Sequence, residues 1–492
     1  MRVLHVASEV APFAQSGGLA DVIAGLPAAQ ATGYGLTTAV FVPLYRGVAE
    51  LLAAAGVTLG PGIALPLEVG VHSLAAAIRI ARVGQVRYGF LDCPALYDRP
   101  GGLYGPHGAS DFGDNHLRFA ALGKAALAAG DVLLGGAPDV LHLHDWQGGA
   151  AAVYARLAAR LAARLAQPSP RIVMTIHNLA YRGIFPKAVM TELGIPWSMF
   201  TPELAEFYDQ VSFLKAGLAL ADAVTTVSPS YAREILTPER GEALDGFLRW
   251  NVQRLVGIVN GIDTVAWDPA TDRALPATYT STALAGKAIC RARLAAELGL
   301  PLADDEPLIG VIARMTDQKG LDLIAEIVPE LAALPARLVV LGSGEPALEQ
   351  RFTWLAEVFR EHLAVRIGFD GDLAHQIYAG CDLFAMPSRF EPCGLGQLYA
   401  MRYGAIPVVH AVGGLRDTVI DPGDDELARG RGTGLRFTPA TPLALARALD
   451  RGVRLFRDTA VLATVRRAAM ARESSWLASA QEYVQLYRSL VA

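Results

Sequence analysis

Cysteine, charge and long apolar runs are all sparse in this chain of 492 residues. Its four cysteines stand far apart and form no C-x-x-C pair, which argues against a disulfide framework or a zinc site and is typical of a reducing compartment. Charged residues make up 18% of the chain, the formal net charge is −5, and no basic block occurs. We therefore do not expect nucleic acid as a partner.

Membrane and export signals are also missing from the sequence. Glycine, proline and charged residues interrupt the apolar stretches before the roughly 20 residues that a membrane helix needs. The chain begins directly with a predicted strand, without a basic segment followed by an apolar run and a cleavage site. We expect a cytoplasmic protein that does not contact a membrane.

Hydrophobic residues are abundant, at 52% of the chain, which suits sheets that are buried on both faces. Short apolar runs alternate with longer helical stretches, and this alternation predicts an α/β fold of parallel sheets with right-handed crossovers. The pattern occurs in both halves, which predicts two Rossmann-like parallel-sheet domains facing across a deep cleft. The predicted strands are 38–43, 88–92, 140–144, 171–175, 223–227, 308–313, 337–341, 364–368 and 406–409, and the predicted helices include 114–129 and 150–166.

The most informative stretch is 388–399, SRFEPCGLGQLY. It follows a predicted buried strand at 382–387, places the carboxylate of Glu391 beyond that strand, and then opens a helix through glycines. A carboxylate at the carboxyl end of a strand is well placed to bind ligand hydroxyls. Backbone N–H groups at the start of a helix suit a phosphate. The stretch therefore predicts a sugar contact and a phosphate contact a few residues apart.

A second glycine-rich element lies at 15–22, QSGGLADV, after a predicted strand at 3–7. Its spacing is not G-x-G-x-x-G, so it is a weak match to a dinucleotide-binding turn. Gly17 and Gly18 would still let a ligand approach the backbone closely.

Together these two elements resemble bacterial glycogen synthases and plant starch synthases, whose versions read K-T-G-G-L-A-D-V and E-P-C-G-L-T-Q. Further runs match the same family in the same order along almost the whole chain. They are 142–146, 177–181, 212–217, 227–229, 260–263, 314–320 and 413–419.

The resemblance implies a GT-B fold. Its domains would be an acceptor-side domain over 1–256, a nucleotide-sugar donor domain over 257–475, and a helix over 476–492 that crosses back to the first domain. It also implies a hexosyltransferase that moves glucose with retention from ADP-glucose to the non-reducing end of an α-1,4-glucan and releases ADP. No cofactor and no metal are expected. The lack of a plastid transit peptide favours bacterial glycogen synthesis.

Two cations and one carboxylate are the first candidates for catalysis. Arg314 and Lys319 follow a predicted strand, where fixed positive charge would stabilise a departing diphosphate. A loop salt bridge is the structural alternative. Glu391 could act as a nucleophile, since retention can proceed by double displacement, or could sit near a helix start as a structural acid. The resemblance implies that Glu391 instead hydrogen-bonds the donor glucose, and we favour that role.

The resemblance assigns further site residues in the first half. His177 would contact the donor sugar with Asn178 as its support, although a lone histidine after a strand is more often structural. Asp145 would lie near the acceptor, with a helix N-cap as the alternative. Asp21 would face the cleft, with a place in the first helical turn as the alternative.

The remaining candidates belong to the donor site. Asn260 would bind the donor, or would only form an Asn-Gly turn. Phe369 would stack on adenine, or would be a core aromatic. Cys393 would pack around the donor sugar. Backbone N–H groups of Gly394, Leu395 and Gly396 would face the phosphates.

Three residues depart from the family pattern. Gln15 replaces the usual lysine, which removes a charge worth about 1–3 kcal/mol if it meets phosphate. Gly396 and Val412 each replace a frequent threonine. These changes leave two alternatives open: transfer from another nucleotide sugar or to a small acceptor, and a glucan-binding protein with weakened catalysis.

Overall fold

The computed structural model describes residues 1–106, 111–163 and 169–492. These residues form two compact units, Met1–Gly261 with Trp476–Ala492, and Ile262–Ser475. Each unit has its own hydrophobic core built around its own sheet.

The first unit is built on a nine-stranded sheet in the order β12-β11-β7-β6-β1-β2-β5-β4-β3. All neighbours from β12 to β5 are parallel, and β4 and β3 add an antiparallel edge. A small antiparallel sheet has the order β8-β10-β9. The strands are β1 (Arg2–Val6), β2 (Thr37–Pro43), β3 (Ile63–Val69), β4 (His72–Val83), β5 (Val86–Asp92), β6 (Val140–His144), β7 (Arg171–Ile176), β8 (Ile184–Pro186), β9 (Glu206–Phe207), β10 (Gln210–Ser212), β11 (Ala223–Thr226) and β12 (Leu255–Gly257).

Helices cover the faces of this sheet, as buried parallel strands require. They are α1 (Gly18–Tyr34), α2 (Val48–Ala54), α3 (Pro94–Tyr97), α4 (Asn115–Leu134), α5 (Asp145–Ala163), α6 (Val189–Glu192), α7 (Phe213–Leu220), α8 (Pro229–Glu234) and α9 (Asp245–Asn251). The helix predicted at 150–166 begins earlier than expected, and residues 164–166 lie outside the described part of the chain.

The second unit has a six-stranded sheet whose paired strands all run parallel, in the order β15-β14-β13-β16-β17-β18. The strands are β13 (Leu308–Ile312), β14 (Arg337–Gly342), β15 (Leu363–Ile367), β16 (Leu383–Met386), β17 (Ile406–His410) and β18 (Leu435–Phe437). The helices are α10 (Ala285–Glu297), α11 (Leu321–Leu331), α12 (Pro346–Val358), α13 (Gly371–Gly380), α14 (Gly396–Arg402), α15 (Gly413–Thr418), α16 (Asp424–Ala428), α17 (Pro442–Arg457) and α18 (Thr459–Met470).

The last helix, α19 (Trp476–Val491), packs on α1 in the first unit. The Trp476 ring occupies the space above Gly25, where an added Cβ would lie 2.0 Å from the indole nitrogen. The Tyr34 hydroxyl donates to the carbonyl of Leu477 at 3.0 Å. Gly25 is therefore required for this close helix contact. Within the described residues, we find no helix with the length and hydropathy of a membrane span.

The strand order reverses once in each main sheet. In the first unit, the chain passes from β1 to β2 on one side and later places β6 on the other side of β1. In the second unit, β13 and β16 are the corresponding neighbours. Ligands of open α/β sheets bind beyond the carboxyl ends of the strands at such reversals. The topology therefore marks the segments after β1, β6, β13 and β16.

Candidate active site

An ion pair lies beyond β13 and β16 in the second unit. Lys319, in a short 3-10 turn after β13, places Nζ 2.5 Å from Oε2 of Glu391, which follows β16. The Ser388 hydroxyl donates to the same oxygen at 3.1 Å. The Glu391 residue is only 5% exposed. The alternative that Glu391 starts a helix is wrong, because α14 begins at Gly396 and its N-cap residue is Leu395.

Arg314 differs from Lys319 in its surroundings. It follows the same strand but is exposed, and its guanidinium has no hydrogen-bond or ion-pair partner within the described residues. The loop salt bridge considered from sequence therefore holds for Lys319, with Glu391 as its partner, and not for Arg314. Lys319 thus holds the carboxylate in place, while the Arg314 side chain has no partner in the part of the chain that the structure describes.

Two glycines bring the Glu391 loop against the start of α15. An added Cβ at Gly413, where φ is +42°, would lie 2.0 Å from the Glu391 carbonyl oxygen. At Gly414 it would lie 2.2 Å from the carbonyl oxygen of Cys393. The Gly414 N–H donates to the Glu391 carbonyl at 3.1 Å. Cys393 is buried in this loop, and its packing around the donor sugar stays a prediction.

The structure gives a physical reason for two departures from the family pattern. An added Cβ at Gly396 would lie 3.2 Å from the Phe384 ring and 3.3 Å from the Tyr378 hydroxyl, so the space that a threonine needs is filled. Val412 is buried in an apolar cluster with Val409, Leu415 and Val419. Neither residue supplies a hydroxyl to the site.

Phe369 lies just beyond β15 and is 95% exposed. The alternative that it is a core aromatic is therefore wrong, and its ring faces are available to a ligand. Asp370 beside it caps α13, because its Oδ1 accepts the Leu373 N–H at 3.0 Å.

In the first unit, the segment after β1 is organised by a carboxylate that the sequence reasoning missed. Glu9 is 3% exposed and accepts the N–H groups of Ser16 at 2.7 Å and Gly17 at 3.2 Å. The Ser16 hydroxyl donates to it at 2.6 Å, and the Tyr104 hydroxyl also donates to it. The glycine turn is therefore open above Gly17, where no atom lies within 4 Å of an added Cβ, but these two N–H groups are already bonded.

Gln15 and Asp21 contact each other beside this turn. The Gln15 amide donates to Oδ2 of Asp21 at 3.4 Å, and Asp21 lies in the first turn of α1, which begins at Gly18. Burial, and then repulsion from Glu9, raise the pKa of Asp21 to about 6. The position without the usual lysine thus faces a carboxylate that is difficult to ionise.

Asp145 connects the ends of β6 and β7. It adopts φ +52°, an uncommon conformation for a residue other than glycine. Its Oδ1 accepts the N–H groups of His177 at 2.7 Å and Asn178 at 3.4 Å. The alternative of an N-cap after Trp146 is wrong, because Asp145 is itself the first residue of α5. Burial raises the pKa of Asp145 to about 7, against the lowering effect of the two N–H groups.

His177 and its neighbours occupy the same edge of the sheet. His177 is half-buried, and burial lowers its pKa to about 3. The Asn178 side chain accepts the Ala180 N–H at 3.1 Å, and its expected support of His177 stays a prediction. Asn260, beyond β12, is buried, and its Oδ1 has no hydrogen-bond partner within the described residues. This buried acceptor is therefore open to a further hydrogen bond.

Three histidines behind His177 lie close enough together to suggest a metal site. The candidate ligand atoms of His5, His142 and His144 all lie within 4.8 Å of one another. Their ring nitrogens, however, already form hydrogen bonds with one another or with other side chains. A metal ion would have to displace these bonds, so we interpret the cluster as a hydrogen-bond network.

Comparison with known proteins identifies the family. Residues 2–250 match the family model described as "Starch synthase catalytic domain", and residues 306–454 match "Glycosyl transferases group 1". A glycogen synthase of Anaeromyxobacter dehalogenans (strain 2CP-C) is 48% identical over 491 residues and covers 100% of both chains. One of Rhodopseudomonas palustris (strain HaA2) is 44% identical and covers 100% of this chain and 99% of its own. The chain belongs to the glycogen synthase family.

A solved structure supports the same assignment. The catalytic domain of starch synthase IV from Arabidopsis thaliana, described as bound to ADP and acarbose, is 32% identical with a TM-score of 0.88 and 99% coverage of both chains. A sucrose-phosphate synthase from Thermosynechococcus elongatus, 20% identical with a TM-score of 0.57 and 99% and 98% coverage, shares the fold. The predicted GT-B fold, the glycosyltransferase class and the glycogen synthase function are confirmed.

Within this glycogen synthase fold, the predicted site residues form separate groups. The second unit joins Lys319 to Glu391 directly, and the Cys393 loop lies on α15. The first unit joins Gln15 to Asp21 and Asp145 to His177. The sequence reasoning missed Glu9, Tyr104 and Ser388. The only available signal for Glu9 was an acid just beyond a central strand and before a glycine turn.

Proposed function

We propose that this protein transfers glucose with retention from ADP-glucose to the non-reducing end of an α-1,4-glucan and releases ADP. The observation that carries the proposal is the ion pair of Lys319 with the buried Glu391, at the strand-order reversal of the second sheet, together with Arg314, which follows the same strand as Lys319 and has no side-chain partner within the described residues. The relatives named glycogen synthase and the starch synthase IV structure bound to ADP and acarbose support it.

The two cations would act on the departing diphosphate. Negative charge grows on the diphosphate as the glycosidic bond breaks, so fixed cations stabilise the transition state more than the ground state. Among the described residues, the Arg314 guanidinium has no partner to give up, whereas Lys319 would share its ammonium between Glu391 and a phosphate. Backbone N–H groups of Gly394, Leu395 and Gly396, before and at the start of α14, would add further donors.

Glu391 would orient the donor sugar. Both protein contacts of its carboxylate fall on Oε2, from Lys319 and Ser388. Within the described residues, Oε1 has no protein partner and can accept hydrogen bonds from sugar hydroxyls. Lys319 and Ser388 fix the carboxylate from one side, which favours orientation and electrostatic stabilisation over covalent catalysis.

The other candidates would complete the two substrate sites. Phe369 would stack on the adenine ring, since its ring is exposed. Asn260 would offer its unpaired Oδ1 to the donor. In the first unit, Asp21, Asp145 and His177 would contact sugar, with Gln15, Gly17, Gly18 and Asn178 shaping the surrounding loops. Within the described residues, none of the four cysteines forms a disulfide, which suits the cytoplasm.

The test is nucleotide release by the purified protein with glycogen, comparing ADP-glucose with UDP-glucose under matched conditions. We expect ADP release coupled to glycogen elongation. Nucleotide release from UDP-glucose alone would mean that the protein is a glucosyltransferase with another donor. Release from neither donor, with glycogen still bound, would support a glucan-binding protein with weakened catalysis.

A further inference from the structure

A continuous run of buried hydrogen bonds in the first unit begins at the side-chain amide of Gln30 in α1. Gln30 Oε1 lies 2.9 Å from Nε2 of His5, and Gln30 Nε2 donates to the Tyr487 hydroxyl at 3.2 Å. Gln30, His5 and Tyr487 are all fully buried. An amide oxygen only accepts and an amide nitrogen only donates. The orientation of this one amide therefore sets the direction of hydrogen bonding on both sides of it.

From Gln30 Oε1, the hydrogen bonds continue through His5, His144 and His177. His5 must carry its proton on Nε2 in order to donate to Gln30, so its Nδ1 accepts from His144 Nε2 at 3.1 Å. His144 Nδ1 then accepts from His177 Nε2 at 3.0 Å. A neutral imidazole has one donor and one acceptor nitrogen. All three rings are therefore the Nε2–H tautomer.

The imidazole rings of His5, His144 and His177 are neutral at neutral pH. Burial lowers the pKa of His5 to about 4 and of His177 to about 3, and it holds the pKa of His144 well below the ordinary value. Desolvation disfavours the charged imidazolium in each case. Each ring thus carries one proton at neutral pH.

We propose that Gln30 is a positioning residue which, through His5 and His144, fixes His177 as the Nε2–H tautomer and leaves its Nδ1 as an acceptor for a sugar hydroxyl. The proposal rests on the sugar-binding role proposed for His177. Within the described residues, His177 Nδ1 has no protein partner, and Asp145 holds the backbone N–H of the same residue at 2.7 Å. His144 thus holds the ring and Asp145 the backbone, and a sugar hydroxyl that meets the unprotonated Nδ1 must donate to it.

A second branch leads away from His177 and provides an internal control. The Tyr487 hydroxyl lies 2.6 Å from His142 Nδ1, and His142 Nε2 lies 2.6 Å from the Thr175 hydroxyl. Thr175 continues to Thr225, with 2.6 Å between the two hydroxyl oxygens. Thr225→Val removes a buried hydroxyl at the far end of this branch without touching the histidines that lead to His177.

The test is ring nitrogen NMR of the full-length protein labelled with ¹⁵N-histidine, combined with kinetics. In the wild type, we expect His5, His144 and His177 all to be protonated at Nε2. In Gln30→Met, His177 should lose this fixed tautomer, and kcat should fall by up to about tenfold, with KM for glycogen nearly unchanged. Thr225→Val should change neither.

Several results would overturn the proposal. They are a wild-type His177 protonated at Nδ1, an unchanged His177 tautomer in folded Gln30→Met, or a changed tautomer with unchanged kcat. If Gln30→Met does not fold, the wild-type spectrum alone decides. Full transfer activity in His177→Ala would instead contradict the proposed role of His177 in sugar binding while leaving the wild-type tautomers as stated.

Discussion

At the scale of single residues, Lys319 and Arg314 carry the same charge but differ in what they contact. Lys319→Met would leave the buried Glu391 carboxylate without its cation, which should cost about 3–5 kcal/mol of unfolding free energy. Arg314→Met removes an exposed side chain and should change stability by less than about 0.5 kcal/mol. Urea unfolding of the two variants measures this difference.

Arg314 should contribute to donor binding although it contributes little to stability. We expect Arg314→Met to weaken ADP-glucose binding by about tenfold or more, since a charge-assisted hydrogen bond contributes about 1.5–3 kcal/mol. Calorimetric titration with ADP-glucose checks this. An unchanged Kd in Arg314→Met would show that this cation does not meet the diphosphate.

Restoring the family's lysine at position 15 shows whether this position contacts the donor phosphates. Gln15→Lys should pair with Asp21, whose Oδ2 already contacts the Gln15 amide, and should tighten ADP-glucose binding by about tenfold. Gln15→Met is the matched control, with similar length and no charge. Equal affinities in the wild type and Gln15→Lys would mean that position 15 does not reach the phosphates in this protein.

The raised pKa of Asp145 should make stability depend on pH. Its folded-state pKa of about 7 lies above the ordinary value of 3.8, so the folded state binds its proton more tightly than the unfolded state does. The stability contribution of this group therefore decreases as pH rises from about 4 to about 7. Asp145→Asn keeps an oxygen for the His177 N–H and should lose less stability over that range. The check is the thermal unfolding temperature of the wild type and Asp145→Asn at about pH 4 and about pH 7. Equal shifts in the two proteins would contradict the prediction.

At the scale of elements, the start of α15 determines the shape of the Glu391 loop. Gly414→Ala would place a methyl group 2.2 Å from the carbonyl oxygen of Cys393, so the loop must move. We expect kcat for transfer to fall by about tenfold or more, because a misplacement of about 1 Å can cost that much. Gly423→Ala, where no atom lies within 4 Å of an added Cβ, is the matched control and should retain wild-type kcat. Equal kcat values in the two variants would disprove the role of this contact.

The strands were predictable from sequence where their burial makes a simple pattern. The largely apolar runs at 337–341 and 406–409 become β14 and β17 with almost unchanged ends, because a strand covered on both faces is mostly apolar. The β3–β4 edge was not predicted, because its exposed face breaks up the apolar run.

The site was predictable only in part. Glu391 and Lys319 could be singled out from their places after predicted strands and from the resemblance, but their 2.5 Å contact depends on β13 and β16 being neighbours in the sheet. Glu9 was missed, because its role comes from the turn that folds back over it. Phe369 could not be assigned either, since an aromatic after a strand is equally compatible with core and surface positions.

At the scale of the whole molecule, each unit places two charged residues of its candidate site where the strand order of its sheet reverses. The first unit does so with Glu9 and Asp145, beyond β1 and β6, and the second with Lys319 and Glu391, beyond β13 and β16. The same topological rule thus accounts for the location of these four residues.

The central claim is that Glu391 serves glucose transfer, and Glu391→Gln tests it most directly. The amide keeps one oxygen for hydrogen bonds but loses the charge opposite Lys319. The measurement is ADP release from ADP-glucose with glycogen, beside Glu357→Gln, an exposed acid on α12, as the control. The account predicts a loss of transfer by at least about a hundredfold in Glu391→Gln and none in the control. Wild-type transfer by folded Glu391→Gln would contradict it.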